Sequence, residues 1–326
     1  MMEAGIDSHW QVLRWDPSRL RRQAYLMLIA YMDESGHSSD PAVHFSGMGG
    51  LVAECDAWTQ FEGEWEAALC DAGIEGAFHM RDFAHCAGPY KGWCEDKRRA
   101  LFGRLVRAIV NAKAVPVGCV ISLDDYRAAP SNVQEILVDP YFIAFQWTTR
   151  GAALQALPKP YPFEHTTEMV AMIYAYQSEF GAIEPKNKFV EKHAGRAEQL
   201  WHAMKNSTDF GHWMGSYGSS CTAELYPLQA ADLFAYEITK EFENLVSRPT
   251  DTMRWALRQI LAPRKDKNLL LRFVDAHEMR QLFLEGIHKP DHPAVQDVQA
   301  SVWLRRAAVR DLFRQRMGAI QSPDKR

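Results

Sequence analysis

No stretch of this chain approaches the roughly 20 apolar residues that a helix needs to cross a bilayer, which sets a helical membrane protein aside. Paired Cys-x-x-Cys spacing is also missing. Cys55, Cys70, Cys86, Cys94, Cys119 and Cys221 are scattered, and they read as reduced thiols of a cytoplasmic protein. His79, His85, Cys86 and Cys94 lie near one another in sequence, yet their spacing matches no strong zinc motif. There is no Gly-x-x-x-x-Gly-Lys-Ser/Thr phosphate loop, and Gly47-Met48-Gly49-Gly50 departs from the Gly-x-Gly-x-x-Gly spacing of a dinucleotide site. The Gly-x-Ser-x-Gly frame of a nucleophile elbow is absent as well, so Ser216-Tyr217-Gly218-Ser219-Ser220 reads as a strand end. Neither internal repeats nor low-complexity tracts occur. Strong charge of one sign is lacking too. A formal net charge of −4 argues against tight, nonspecific coating of nucleic acid. Local basic clusters remain at Lys97-Arg98-Arg99 and at Arg305, Arg306, Arg310 and Arg314; solvated helix faces are the simpler reading of them, and phosphate contacts the alternative.

What is present is enough apolar material for one large domain, or a domain with an appendage: 326 residues, 47% of them hydrophobic. Met27-Leu28-Ile29-Ala30-Tyr31-Met32 is a continuous apolar run bounded by a turn, the pattern of a strand buried on both faces. Arg19, Arg21 and Arg22 precede it in the manner of a signal sequence, but the run leads straight into Asp33 without a cleavage region. Its exit, Asp33-Glu34-Ser35-Gly36, is acidic. Buried carboxylates are costly unless a positive group meets them, and a divalent metal is an economical partner. A plain turn would also use Asp, Ser and Gly. Consecutive strand side chains point to opposite faces, so Asp33 and Glu34 cannot both face inward from a regular strand, and Asp33 is the safer ligand.

About two hundred residues later, Leu228, Ala231, Ala235, Ile238 and Phe242 recur at helical spacing, with Asp232 beside this stripe and Gln229 one turn earlier. Small Ala230, Ala231 and Ala235 would let the helix approach a sheet closely. The alternative for Asp232 is a helix-edge acid paired with Lys or Arg. Between the two motifs lie a glycine-rich strand, Phe45 to Val52, and His79-Met80-Arg81-Asp82. Asp82 fits either a shared site or a cap for a helix beginning at Phe83, and His79 fits a ligand, a proton shuttle or a structural imidazole.

The remaining pattern alternates helix and strand, as in an α/β domain. Helices are expected over Glu54–Ala72, Glu95–Ala112, Pro140–Leu157 (stopped by Pro158-Lys159-Pro160-Tyr161-Pro162) and Phe189–Lys205. Strands are expected over Val115–Leu123, Glu168–Tyr176 and Trp213–Ser219. Residues 1–26 read as an N-terminal extension, with Met27 a plausible alternative start. Residues 27–247 form the α/β domain. Residues 248–326 read as a helical C-terminal extension docked on it, with helices over Met253–Leu261, Leu269–Ile287 and Val298–Met317.

Asp33-Glu34-Ser35-Gly36 and Gln229-Ala230-Ala231-Asp232-Leu233, in this order and with the elements between them, resemble the family known as domain of unknown function 3800. The resemblance covers about Met27 to Asn244. It implies a ribonuclease H-like mixed sheet flanked by helices, with acids from the first strand and a late helix converging on metal. By that resemblance the chain is expected to be a Mg2+- or Mn2+-dependent nuclease or phosphodiesterase acting on DNA or RNA. Asp33, Glu34 and Asp232 are its candidate metal ligands, and His79 and Asp82 complete the candidate catalytic set. One departure stands out: Tyr174-Ala175-Tyr176 carries no acid where such a fold usually supplies one, leaving Glu179, Asp124 or Asp125 as substitutes. The competing expectation is a catalytically reduced module on the same fold that binds nucleic acid or protein.

Overall fold

The computed structural model describes residues 28–38, 40–131, 133–134, 139–156, 169–176, 195–207, 210–263, 270–275 and 278–279. The expected N-terminal extension, the Pro158–Pro162 stop, Glu179, the Val298–Met317 helix and the Arg305 to Arg314 cluster lie outside them. Strand β1 (Leu28–Ser35) is central in a six-stranded sheet, as its two-faced apolar run predicts. Ile29, Ala30, Tyr31 and Met32 are all fully buried. β2 (Phe45–Glu54) pairs antiparallel with β1, and β3 (Val115–Ser122) antiparallel with β2. On the other side of β1 lies β4 (Val170–Ala175), parallel to it, followed by β5 (Met214–Ser220), parallel to β4. β6 (Leu270–Val274) is parallel to β3, giving the order β5-β4-β1-β2-β3-β6.

Alternation along β1 divides the core. Ile29 and Tyr31 belong to one apolar cluster with helices α1 (Cys55–Ala72), α3 (Glu95–Asn111), α7 (Tyr226–Ser247) and α8 (Trp255–Leu261). Ala30 and Met32 face the other layer, with α5 (Pro140–Ala153) and α6 (Arg196–Ser207). Two short helices, α2 (Met80–Ala84) and α4 (Leu123–Ala128), lie between these elements. In α1, Trp58, Phe61 and Trp65 recur at helical spacing and pack edge-to-face or tilted, and the Trp58 indole donates to the Ile29 carbonyl at 2.9 Å. Gly73, at φ 75°, ends this helix by turning left-handed, so that its N–H and that of Ile74 reach the last carbonyls.

Helix α7 lies unusually close to the sheet, and glycine is the reason. A Cβ on Gly49 would sit 2.6 Å from the Ala235 Cα, and one on Gly47 would sit 2.6 Å from the Thr239 hydroxyl. The small residues of α7 thus meet positions of β2 that have no side chain at all.

The C-terminal region corrects one expectation. A helix was expected over Leu269–Ile287, but Leu270–Val274 is a strand that adds to the sheet beside β3. These residues therefore belong to the α/β sheet and not to a helical extension. A short apolar run carries no periodicity that separates strand from helix, and an open edge on β3 decides the matter. Among the described residues, no helix is long and apolar enough to cross a membrane.

Candidate active site

Asp33 leaves β1 on the same face as Ile29 and Tyr31, beneath α7, in register with Gly49. It is only 8% exposed. Its Oδ1 accepts the Glu34 N–H at 2.7 Å, and its Oδ2 accepts the Thr222 hydroxyl at 3.2 Å. Asp232 faces it from α7, three residues before the Ala235 that touches Gly49. The Asp232 Oδ2 accepts the Met80 N–H at 2.8 Å, and the His79 Nδ1 lies 4.0 Å from the same oxygen.

Burial, then the neighbouring Asp232 charge, holds the Asp33 carboxyl well above the usual carboxylate range. Asp232 is pushed up to about 6, chiefly by burial; Asp82 adds to the rise, while the Met80 N–H and His79 oppose it. Two neighbouring acids shielded from water in this way favour a retained proton or a bound cation. Among the described residues neither has a Lys or Arg within ion-pair distance, so the salt-bridge alternative for Asp232 finds no partner there.

One turn before Asp232, the Gln229 Oε1 accepts from both the Trp65 indole and the Phe78 N–H, each at 3.0 Å. Gln229 and Asp232 together therefore grip alternate backbone N–H groups of the segment 78–80. This grip fixes where His79 and Asp82 stand. His79 holds the N-cap position of α2 with its ring 47% exposed, and Asp82 sits in the first turn instead of capping a helix at Phe83. Asp82 is close enough to raise both Asp232 and Tyr90, whose phenol is held well above its ordinary value by burial first.

Glu34 departs from the opposite face of β1. Its charge acts on the buried Tyr141 of α5, and its carboxylate lies 3.4 Å from the His37 ring. The structure thus gathers Asp33, Asp232, His79 and Asp82 on the α7 side and sets Glu34 at the edge of that group. Asp124 pairs with His44 at 3.0 Å, and Asp125 is buried in the first turn of α4, where the Ser122 hydroxyl caps it. Among the described residues, no three His, Cys, Asp or Glu side chains form a ready metal cage. The cluster Lys97-Arg98-Arg99 is a helix face: Arg98 and Arg99 pair with Glu95, and Lys97 lies over the Trp93 ring.

Beside Asp232 opens a cavity of about 400 Å³, lined by α2, α7 and the segment that joins β1 to β2. Thr222 and the Gln229 grip are the parts of the site that sequence reading missed. Gln229 was visible as a motif residue one turn before Asp232, whereas Thr222 sits in an ordinary loop and carries no signal. Compared with known protein families and with curated proteins, the chain matches none.

Proposed function

We propose that the chain is a metal-dependent nuclease or related phosphodiesterase on a ribonuclease H-like fold, with Asp33 and Asp232 as the central acids. The observation that carries this reading is the pairing of buried Asp33, at the exit of the central strand, with the largely shielded Asp232 of α7, whose charge bears on it. The strand order supports it. The sheet is mixed, with β2 antiparallel and β4 parallel to β1, and it carries one acid on the first strand and another on the late helix after β5, as the family resemblance implies.

Two hard carboxylate oxygens suit Mg2+ or Mn2+, which are commonly held by one or two carboxylates with water completing the shell. Asp33 and Asp232 would hold the ion, which when bound stabilises charge on a phosphoryl group and lowers the pKa of water. Because Asp232 already spends Oδ2 on the Met80 N–H, its Oδ1 is the oxygen left for a ligand. On Asp33 the Glu34 N–H holds Oδ1 and the Thr222 hydroxyl holds Oδ2, each oxygen keeping a second lone pair for a ligand. His79, exposed at the rim and 4.0 Å from Asp232, is the group placed to carry a proton to or from a reacting oxygen.

Cleavage of single- and double-stranded DNA and RNA oligonucleotides with Mg2+ or Mn2+ tests the reading. Asp33→Asn is expected to abolish cleavage while leaving the circular dichroism spectrum intact. Equal activity of both proteins on every substrate cut would remove Asp33 from the mechanism. A second reading, a catalytically reduced binding module, draws on the absence of an acid at Tyr174-Ala175-Tyr176 and of a three-ligand cage among the described residues. It expects oligonucleotide or protein binding without cleavage in any metal.

A further inference from the structure

The cavity beside Asp232 has a preformed wall. The Arg127 guanidinium donates to the carbonyls of Asp40 at 2.7 Å and Val43 at 2.9 Å, and the Ser38 hydroxyl donates to Asp139 at 3.0 Å. Gly36, at φ 85°, starts this segment where a Cβ would strike the Phe45 carbonyl oxygen at 2.5 Å. A cavity of about 400 Å³ with a fixed wall falls within the range of small-molecule sites, roughly 300–1,000 Å³.

Its charges are unevenly satisfied. Lys240 is paired with Glu243 at 2.6 Å, Glu34 meets His37, and the Asp40 Oδ1 accepts the Ala42 N–H at 2.9 Å. Arg81 from α2 and, just past the end of that helix, His85 line the same space, and among the described residues neither has a carboxylate within ion-pair distance. Half-buried Tyr236 lines it from α7, one turn beyond Asp232, with the Lys240 ammonium and the Arg254 guanidinium each 5.9 Å from its ring centroid. A planar guanidinium, an imidazole and an aromatic ring beside an acid pair are complementary to a phosphate, its sugar and its base.

We propose that this cavity is the subsite for one nucleotide next to the bond that is cut, its phosphate held by Arg81 and His85 and its base against Tyr236. The proposal rests on the nucleic-acid reading of the acid pair. It names the substrate unit as a nucleotide phosphate.

Calorimetric titration of the full chain in EDTA, with thymidine 5′-monophosphate and with thymidine, tests it without any need for turnover. The nucleotide is expected to bind about ten-fold tighter or more than the nucleoside, the yield of one charge-assisted hydrogen bond. Arg81→Ala should erase that preference, and Arg81→Lys should keep part of it. Equal binding of the two compounds by the wild type, or an undiminished preference in Arg81→Ala, overturns the subsite. Oligonucleotide cleavage with Mg2+ separates this from the catalytic reading. Arg81-dependent nucleotide binding with no cleavage by the wild type keeps the subsite and removes the nuclease. Cleavage by Arg81→Ala with unchanged KM keeps the nuclease and removes the subsite.

Discussion

At Asp232, charging the carboxyl costs desolvation and also repulsion from Asp82, so the folded chain holds this proton more tightly than the unfolded chain does. A folded value near 6 against an ordinary value of 3.8 means that this contribution is fully present below about pH 4 and lost as the pH rises through about 6. Its size is on the order of 3 kcal/mol. The gap in melting temperature between Asp232→Asn and the metal-free wild type should therefore move in the mutant's favour between pH 4 and pH 7. Asn keeps an oxygen for the Met80 N–H, so the change isolates charge. Mg2+ should stabilise the wild type, by about 2.7 kcal/mol at one hundred times its dissociation constant, and the mutant much less. A constant deficit of the mutant at all pH values, with an equal response to Mg2+, would make Asp232 a structural acid. Asp33 and Asp232 stood out in the sequence because acids interrupt or border apolar patterns there. Thr222 could not stand out, since only the arrival of its loop beside β1 gives its hydroxyl a partner.

Between elements, the position of Asp232 over Asp33 depends on how near α7 comes to β2. Alanines on the helix announced a close approach, and the glycine-rich strand was equally visible, but pairing them needed the register that sets Asp33 opposite Gly49. Gly49→Ala puts a methyl 2.6 Å from the Ala235 Cα, where backbone must yield. Overpacking of this kind typically costs about 1–3 kcal/mol. The mutant should melt lower and, because the strain falls one turn from Asp232, should also bind Mg2+ more weakly. Gly63→Ala, in α1 with open space around it, should instead raise stability by up to about 1 kcal/mol through helix propensity. Thermal melts of both variants with and without Mg2+ check the contrast, and a Gly49→Ala protein matching Gly63→Ala would disprove the tight contact. The misread Leu270–Val274 shows the limit of such reasoning: five residues suit strand or helix, and only the free edge of β3 chooses.

For the molecule as a whole, the helix and strand alternation was legible up to α7, and the boundary was expected near Arg248, where α7 ends. The segment beyond it was expected to dock on the core, and its described part is tied in by an ion pair and a strand that the sequence pattern did not announce. The Arg254 guanidinium donates to Glu237 at 2.6 and 2.9 Å, and its N–H donates to Glu241 at 2.9 Å. Glu237 and Glu241 are themselves buried in α7. Ala256, Leu257, Ile260 and Leu261 of α8 then pack into the core, and β6 pairs with β3. Deleting residues 249–326 removes the cation and the apolar cover and reopens the edge of β3 in one step. Stripping one partner from a buried ion pair costs roughly 3–5 kcal/mol on its own, before any loss of apolar burial. Arg254→Ala should reproduce that portion as a lower melting temperature. The deletion should go further, giving dye binding to exposed apolar surface and concentration-dependent association through the unpaired strand. A truncated chain that stays monomeric, keeps its melting temperature and binds no dye would show that α8 and β6 are dispensable to the fold that carries Asp33 and Asp232.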